Sequence, residues 1–130
     1  MSHLGQLVPP ALPSVDIQVD ELRGVTFRGT IALKDPGTAL GRFMRDVHEA
    51  AVADGMSQVR VDVTALTFVN SSAIRLFVDW AQWVKGVEPE KRYKLHFVTD
   101  PQITWQKTSF VALRSLARDV LSVEAIHTGA

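Results

Sequence analysis

The stretch from Val59 to Lys85, V-R-V-D-V-T-A-L-T-F-V-N-S-S-A-I-R-L-F-V-D-W-A-Q-W-V-K, constrains the fold more than any other part of the chain. Its first half has the period of a strand with one buried face. Val59, Val61 and Val63 alternate with Arg60 and Asp62, and the strand runs on through Leu66 and Phe68. Its second half has the period of a helix of roughly four turns. Ala73, Ile74, Phe77, Val78, Ala81 and Val84 share one side of that helix, and Arg75, Asp79 and Gln82 share another. Between strand and helix lies a polar break, Asn70-Ser71-Ser72. Such a break sets hydroxyls beside the unpaired N–H groups and positive dipole end of a helix, where negative charge is favoured and a phosphate, bound or covalent, is well placed.

The rest of the chain arranges itself around this unit. Pro9, Pro10 and Pro13 withhold backbone donors, so residues 1–12 are expected to be a flexible tail, with one domain over residues 13–130. Val15, Ile17 and Val19 alternate, and after a turn around Asp20 to Gly24 so do Val25, Phe27 and Ile31, which predicts a β-hairpin. Asp35-Pro36 opens a helix whose apolar positions are Leu40, Phe43, Met44, Val47 and Ala51, with Gly55 as its stop. After a charged loop from Gly86 to Arg92, Tyr93, Leu95 and Phe97 form a further strand. Asp100-Pro101 repeats the cap-then-proline start for a helical region from Gln102 to Asp119, with Ser109 a potential cap for a second piece, and Val123–Ile126 predicts a short last strand. The resulting order is ββαβαβαβ, a single α/β domain with a mixed sheet of about five strands. Strands that alternate, rather than run apolar throughout, predict helices mainly on one face. The other face then carries Gln18, Thr26, Arg28, Arg60, Asp62, Lys94 and His96.

Composition removes whole classes of function. Of the 130 residues, 14 are Lys or Arg and 14 are Asp or Glu, so there is no net field to attract nucleic acid or an anionic membrane. With no cysteine there are no disulfides and no thiolates, as expected of a cytoplasmic chain. No apolar run is long enough to span a bilayer. An enzyme is not expected either. There is no G-x-S-x-G elbow or phosphate-binding glycine loop, and His3, His48, His96 and His127 lack the spacing of metal ligands, so each reads as a surface or strand histidine and no cofactor is called for.

The segment V-D-V-T-A-L-T-F-V-N-S-S-A-I-R resembles the signature of STAS domains, the fold of bacterial anti-sigma factor antagonists. Element order and the apolar helix behind the polar break extend the resemblance over roughly residues 13 to 127. It implies a non-enzymatic regulatory module that switches protein partners. In the family a serine after an aspartate is phosphorylated by a kinase that is also the anti-sigma factor, and a phosphatase reverses the mark. By position the acceptor is Ser71, with Ser72 the alternative, and Asn70, Ser71, Ser72, Ala73, Arg75, Leu76, Asp79, Trp80 and Trp83 form the expected partner surface. Asn70 and Ala73 stand where the family usually has aspartate and glycine, which places the chain nearer an Asn-Ser-Ser branch of STAS-like regulators.

Other expectations stand beside this one. Asn, Ser and Ser are also what a helix cap requires with no function attached. The same helix start can hold an anion or nucleotide noncovalently, making a sensor or scaffold domain. Leu76, Trp80 and Trp83 form a second apolar stripe that suits packing on a neighbouring helix, docking of a partner, or a homodimer surface.

Overall fold

The computed structural model describes residues 3–21, 24–32, 34 and 39–126. Its elements are β1 Val15–Asp20, β2 Gly24–Ile31, α1 Ala39–Ala53, β3 Gln58–Val69, α2 Ser71–Lys85, β4 Lys94–Thr99, α3 Thr104–Leu116 and β5 Leu121–Ala125, in the expected ββαβαβαβ order. The strands lie in the sheet as they lie in the chain, β1 antiparallel to β2 and every later pair parallel. Each parallel crossover carries one helix and steps in the same direction, and right-handed crossovers stepping one way leave their helices on one face. Burial agrees. Phe27, Ile31, Val61, Val63, Leu95 and Phe97 join the apolar sides of the helices in one core. On the opposite face Gln18, Arg28, Arg60 and Lys94 are exposed, and Thr26, Asp62 and His96 are half-buried.

Some local signals set the element boundaries and others do not. Gly55 ends α1 in the left-handed region at φ +64°, where its N–H donates to Val52 and the N–H of Met56 to Ala51, each at 3.1 Å. The expected start of α1 at Asp35-Pro36 lies outside the described residues. Asp100-Pro101 does not start α3. The Asp100 carboxylate accepts from the Gln102 N–H at 3.0 Å and its carbonyl from the Ile103 N–H, so the pair builds a turn, and a single helix begins at Thr104 and passes Ser109 unbroken. The last strand begins at Leu121, earlier than Val123, because Leu121 is buried opposite Leu95. The expected tail is in part docked. Leu4 is fully buried in the core, and the N–H groups of His3 and Leu4 donate to the Asp54 carboxylate at 2.9 and 3.0 Å. The prolines restrict only their own neighbourhood, and the anchor for Leu4 lies far along the chain, just past α1.

β3 has 12 residues and β4 has 6, so β3 overhangs its neighbour. Pairing with β4 ends at Asp62↔Val98, whereas pairing with β2 continues to Ile31↔Val69 through two register shifts. The overhang leaves strand carbonyls without a strand partner, and α3 supplies side chains in its place. Gln106 Nε2 donates to the carbonyls of Val63 and Leu66, Trp105 Nε1 also donates to Leu66 at 2.9 Å, and Gln106 Oε1 accepts the Asp100 N–H at 2.9 Å. Gln106 is 1% exposed, so water does not compete. Gln106→Leu keeps the volume but strands these groups. Urea unfolding is expected to show a loss of about 2–4 kcal/mol, and a loss below about 1 kcal/mol would mean that the clamp is dispensable.

A second buried polar chain ties α1 and α2 to the start of β4. Trp80 Nε1 donates to the Tyr93 hydroxyl at 2.8 Å, and that hydroxyl lies 2.8 Å from His48 Nδ1. One hydroxyl thus joins a side chain of α2 to a side chain of α1. His48 is therefore a buried helix residue and not a surface or strand one. Burial, helped by Arg45 and opposed by Glu49, holds its pKa below 6.5, while burial pushes Tyr93 up against the lowering effect of the Trp80 hydrogen bond. The unfolded histidine takes up a proton near 6.5 and the folded one resists, so stability is full above that pH and falls as pH drops below it. Thermal melts between pH 7.5 and 5 should show Tm falling with pH. His48→Gln, which keeps an acceptor but does not titrate, should flatten part of that slope, and an unaltered slope would clear His48 of the effect.

Candidate functional site

The polar break between β3 and α2 is one joint. Asn70 has extended backbone, φ −75° and ψ 168°, and its N–H donates to Ile31 at 2.9 Å, continuing the β2–β3 ladder. Its side-chain oxygen accepts the Ala73 N–H at 3.0 Å and its carbonyl accepts the Ile74 N–H at 3.0 Å, so the same residue caps α2. Ser71 and Ser72 are the first residues of that helix. Both are exposed, their N–H groups fall among the orphan donors of a helix start, and neither hydroxyl bonds to another described residue. The joint thus presents two uncommitted hydroxyls at the positive end of the helix dipole.

The other expected surface residues divide by burial. Arg75, one turn on from Ser71, is exposed, and Asp79, one turn further, is half-buried. Ala73, Leu76 and Trp80 are buried, Trp80 completely, and cannot present side chains to a partner in this structure. Trp83 is half-buried, with the Arg45 guanidinium 5.0 Å from its ring centroid and the His48 ring at 6.0 Å. Packing against a neighbouring helix is seen for Trp83, and the neighbour is α1. The reason is that α2 lies against both the sheet and α1. Its buried arc is Ala73, Leu76, Phe77, Trp80, Ala81 and Val84, and Ile74 and Val78, assigned to the sheet side by spacing, sit half-buried on the flank.

Phe68, on the strand that leads to the polar break, is 50% exposed, two residues before Asn70. The signal was present in A-L-T-F-V. Leu66 and Val69 are both buried, and residues three apart share a side of a strand only if the strand is bulged between them. The register shift opposite Gly29 and Thr30 is that bulge, and it turns Phe68 toward the helix-free face. On that face an open hollow of about 510 Å³ is lined by Gln18, Thr26, Arg28, Arg60 and Asp62 among others. His96 there bonds Ser122 and Glu124 at 2.7 and 2.9 Å, and His3 bonds Asp54 at 2.6 Å. His127 lies outside the described residues. Among the described residues no three His, Cys, Asp or Glu side chains gather as metal ligands would. No helix among them is long and apolar enough to cross a membrane.

The joint separates cap from hydroxyls in a measurable way. Asn70→Ala should cost about 1 kcal/mol in chemical denaturation, whereas Ser71→Ala and Ser72→Ala should each stay within about 0.5 kcal/mol of the parent. Equal losses at all three positions would show that the serines hold the turn.

No protein-family model and no curated protein matches the sequence. Two solved structures match in shape. One is a chain of the crystal structure of the diguanylate cyclase SiaD in complex with its activator SiaC from Pseudomonas aeruginosa, with TM-score 0.65 and 18% identity over 92% of this chain and 98% of that one. The other is an anti-sigma factor antagonist from Mycobacterium paratuberculosis, with TM-score 0.56 and 19% identity over 87% of this chain and 90% of that one.

Proposed function

The chain is a STAS-like domain in its fold, and we propose that it is a regulatory module that binds a protein partner at the β3–α2 joint, with Ser71 as a phosphorylation switch. The observation that carries this is the state of Ser71: exposed, with its hydroxyl uncommitted, on a helix whose start is fixed independently by Asn70. A modification there changes charge without removing any bond that holds the fold. The two neighbours in shape fit this reading, one coming from a complex of an enzyme with its activator and the other being an antagonist of a regulatory factor.

The contact surface is the exposed subset of the expected residues, Ser71, Ser72 and Arg75, with Asp79 at its edge. A phosphate on Ser71 adds nearly two negative charges and strong acceptors. The helix start and Arg75, at the i, i+4 spacing, stabilise that charge on the free domain, while a partner shaped for the neutral hydroxyl is repelled. A serine kinase would write the mark and a phosphatase remove it.

Mass spectrometry of the protein isolated from its native host should find phosphate on Ser71, or on Ser72. With the partner that co-purifies, Ser71→Asp should weaken binding by at least about tenfold, roughly 1.4 kcal/mol, while Ser71→Ala stays near the parent value. Equal affinity of the two variants would sink the charge switch. Heat on titrating the free domain with inorganic phosphate or nucleotides would favour a noncovalent anion site instead.

A further inference from the structure

The far edge of the sheet offers a different chemistry that does not depend on Ser71. Among the described residues β5 is an edge strand, paired with β4 alone. The Leu95 N–H donates to Val120 and the Ile126 N–H to Thr99, both at 2.8 Å, so the even-numbered residues of this segment turn their backbone toward β4. Leu121, Val123 and Ala125 turn their N–H and C=O groups outward, where they meet no described residue.

A groove follows this edge between β5 and α3, made of two contiguous hollows of about 580 and 150 Å³ that share Val111, Arg114 and Val123. Its apolar floor is Phe110, Val111 and Val123, and Val111 is 65% exposed. Its walls carry Lys94, Lys107, Arg114 and Arg118, and no acid among the described residues lines it. The acids nearest in the chain are engaged elsewhere, Asp119 with Arg92 at 3.7 Å and Glu124 with His96 at 2.9 Å. In a protein of zero net charge, this is a segregated cationic strip beside unpaired strand backbone.

We infer that this edge receives an extended acidic segment of a partner protein, added as a further strand beside β5. Main-chain bonds to Leu121, Val123 and Ala125 set its register, alternate apolar side chains lie on Phe110 and Val111, and the intervening carboxylates meet the cations. Charge decides among occupants. A second copy of this chain would set the same four cations against themselves. A nucleic acid would match the cations but leave the outward N–H and C=O groups of the strand without a ladder.

The probe is a synthetic eight-residue peptide of alternating glutamate and valine with acetyl and amide ends, added to the full chain. Amide hydrogen exchange at Leu121, Val123 and Ala125 should slow by at least about tenfold at saturation, as these amides become paired. The lysine–valine counterpart, and a glutamate–valine peptide N-methylated on alternate amides, should bind at least about tenfold more weakly. Val123→Pro removes one outward donor at an edge position that tolerates proline, and should weaken binding while circular dichroism stays unchanged. Equal binding of the N-methylated peptide would overturn strand addition, as would protection centred on α2 or no binding at millimolar peptide. Sedimentation showing a dimer that the peptide does not dissociate would assign the edge to a second copy. A single-stranded oligonucleotide that protects the same amides more strongly than the peptide would likewise overturn the acidic-segment assignment.

Discussion

The overhang of β3 beyond β4 is the constraint on which the rest of the structure depends. A strand that outruns its neighbour exposes carbonyls on one edge, and in an interior closed to water those carbonyls need donors. Gln106 and Trp105 provide them from the first turn of α3, and Gln106 also takes the Asp100 N–H at the end of β4. One glutamine therefore fixes three things together: where β4 stops, where α3 sits, and how far β3 can extend before it turns. Without that extension Asn70 would not reach the ladder bond to Ile31 that makes the β3–α2 joint rigid. The exposed serines are held by groups that are themselves buried.

α2 is the second half of the same arrangement. Its width of apolar surface, which the sequence shows as two stripes, is explained by two neighbours, the sheet and α1. Trp80 fills the space between them and its indole N–H needs a buried partner, which Tyr93 supplies from the start of β4 and shares with His48 of α1. An edge-on contact of Phe77 with both Phe27 and Phe97 fixes the helix over the middle of the sheet. The exposed side that remains is narrow and polar, with Arg75 directly below Ser71 and Asp79 below that. A surface of this kind recognises through charge and shape, not through area.

Element types were legible in the sequence because they depend on period: alternation gave β1 through β4, and the 3.6-residue spacing gave all three helices. The joint was legible too, since Asn70 is both a good cap and the first polar residue after an apolar strand. What stayed hidden depends on contacts between distant residues. The role of Gln106 cannot be inferred from its place on a helix, because the carbonyls it satisfies are freed by bulges in another strand. The side on which Phe68 lies was hidden because the alternation of Val59, Val61 and Val63 is reset by bulges before it. Leu4 looked like part of a tail because its anchor, Asp54, is remote. Asp100-Pro101 misled for a different reason: the aspartate side chain and carbonyl complete a turn before any helix begins, and both uses of an Asx residue have the same local sequence.

Asn70 bears on the proposed switch in a way that an aspartate would not. An aspartate cap would place a fixed negative charge beside Ser71 in both states, so phosphorylation would deepen an existing charge. With asparagine the cap is neutral, and the side chains nearest Ser71 on the exposed side of α2 are Arg75 and then Asp79, one of each sign. Under the proposed function, a phosphate on Ser71 therefore introduces charge beside a neutral cap instead of adding to an existing one. A partner matched to the neutral state then meets repulsion in the modified one. A neutral cap at this position is therefore compatible on physical grounds with the proposed charge switch.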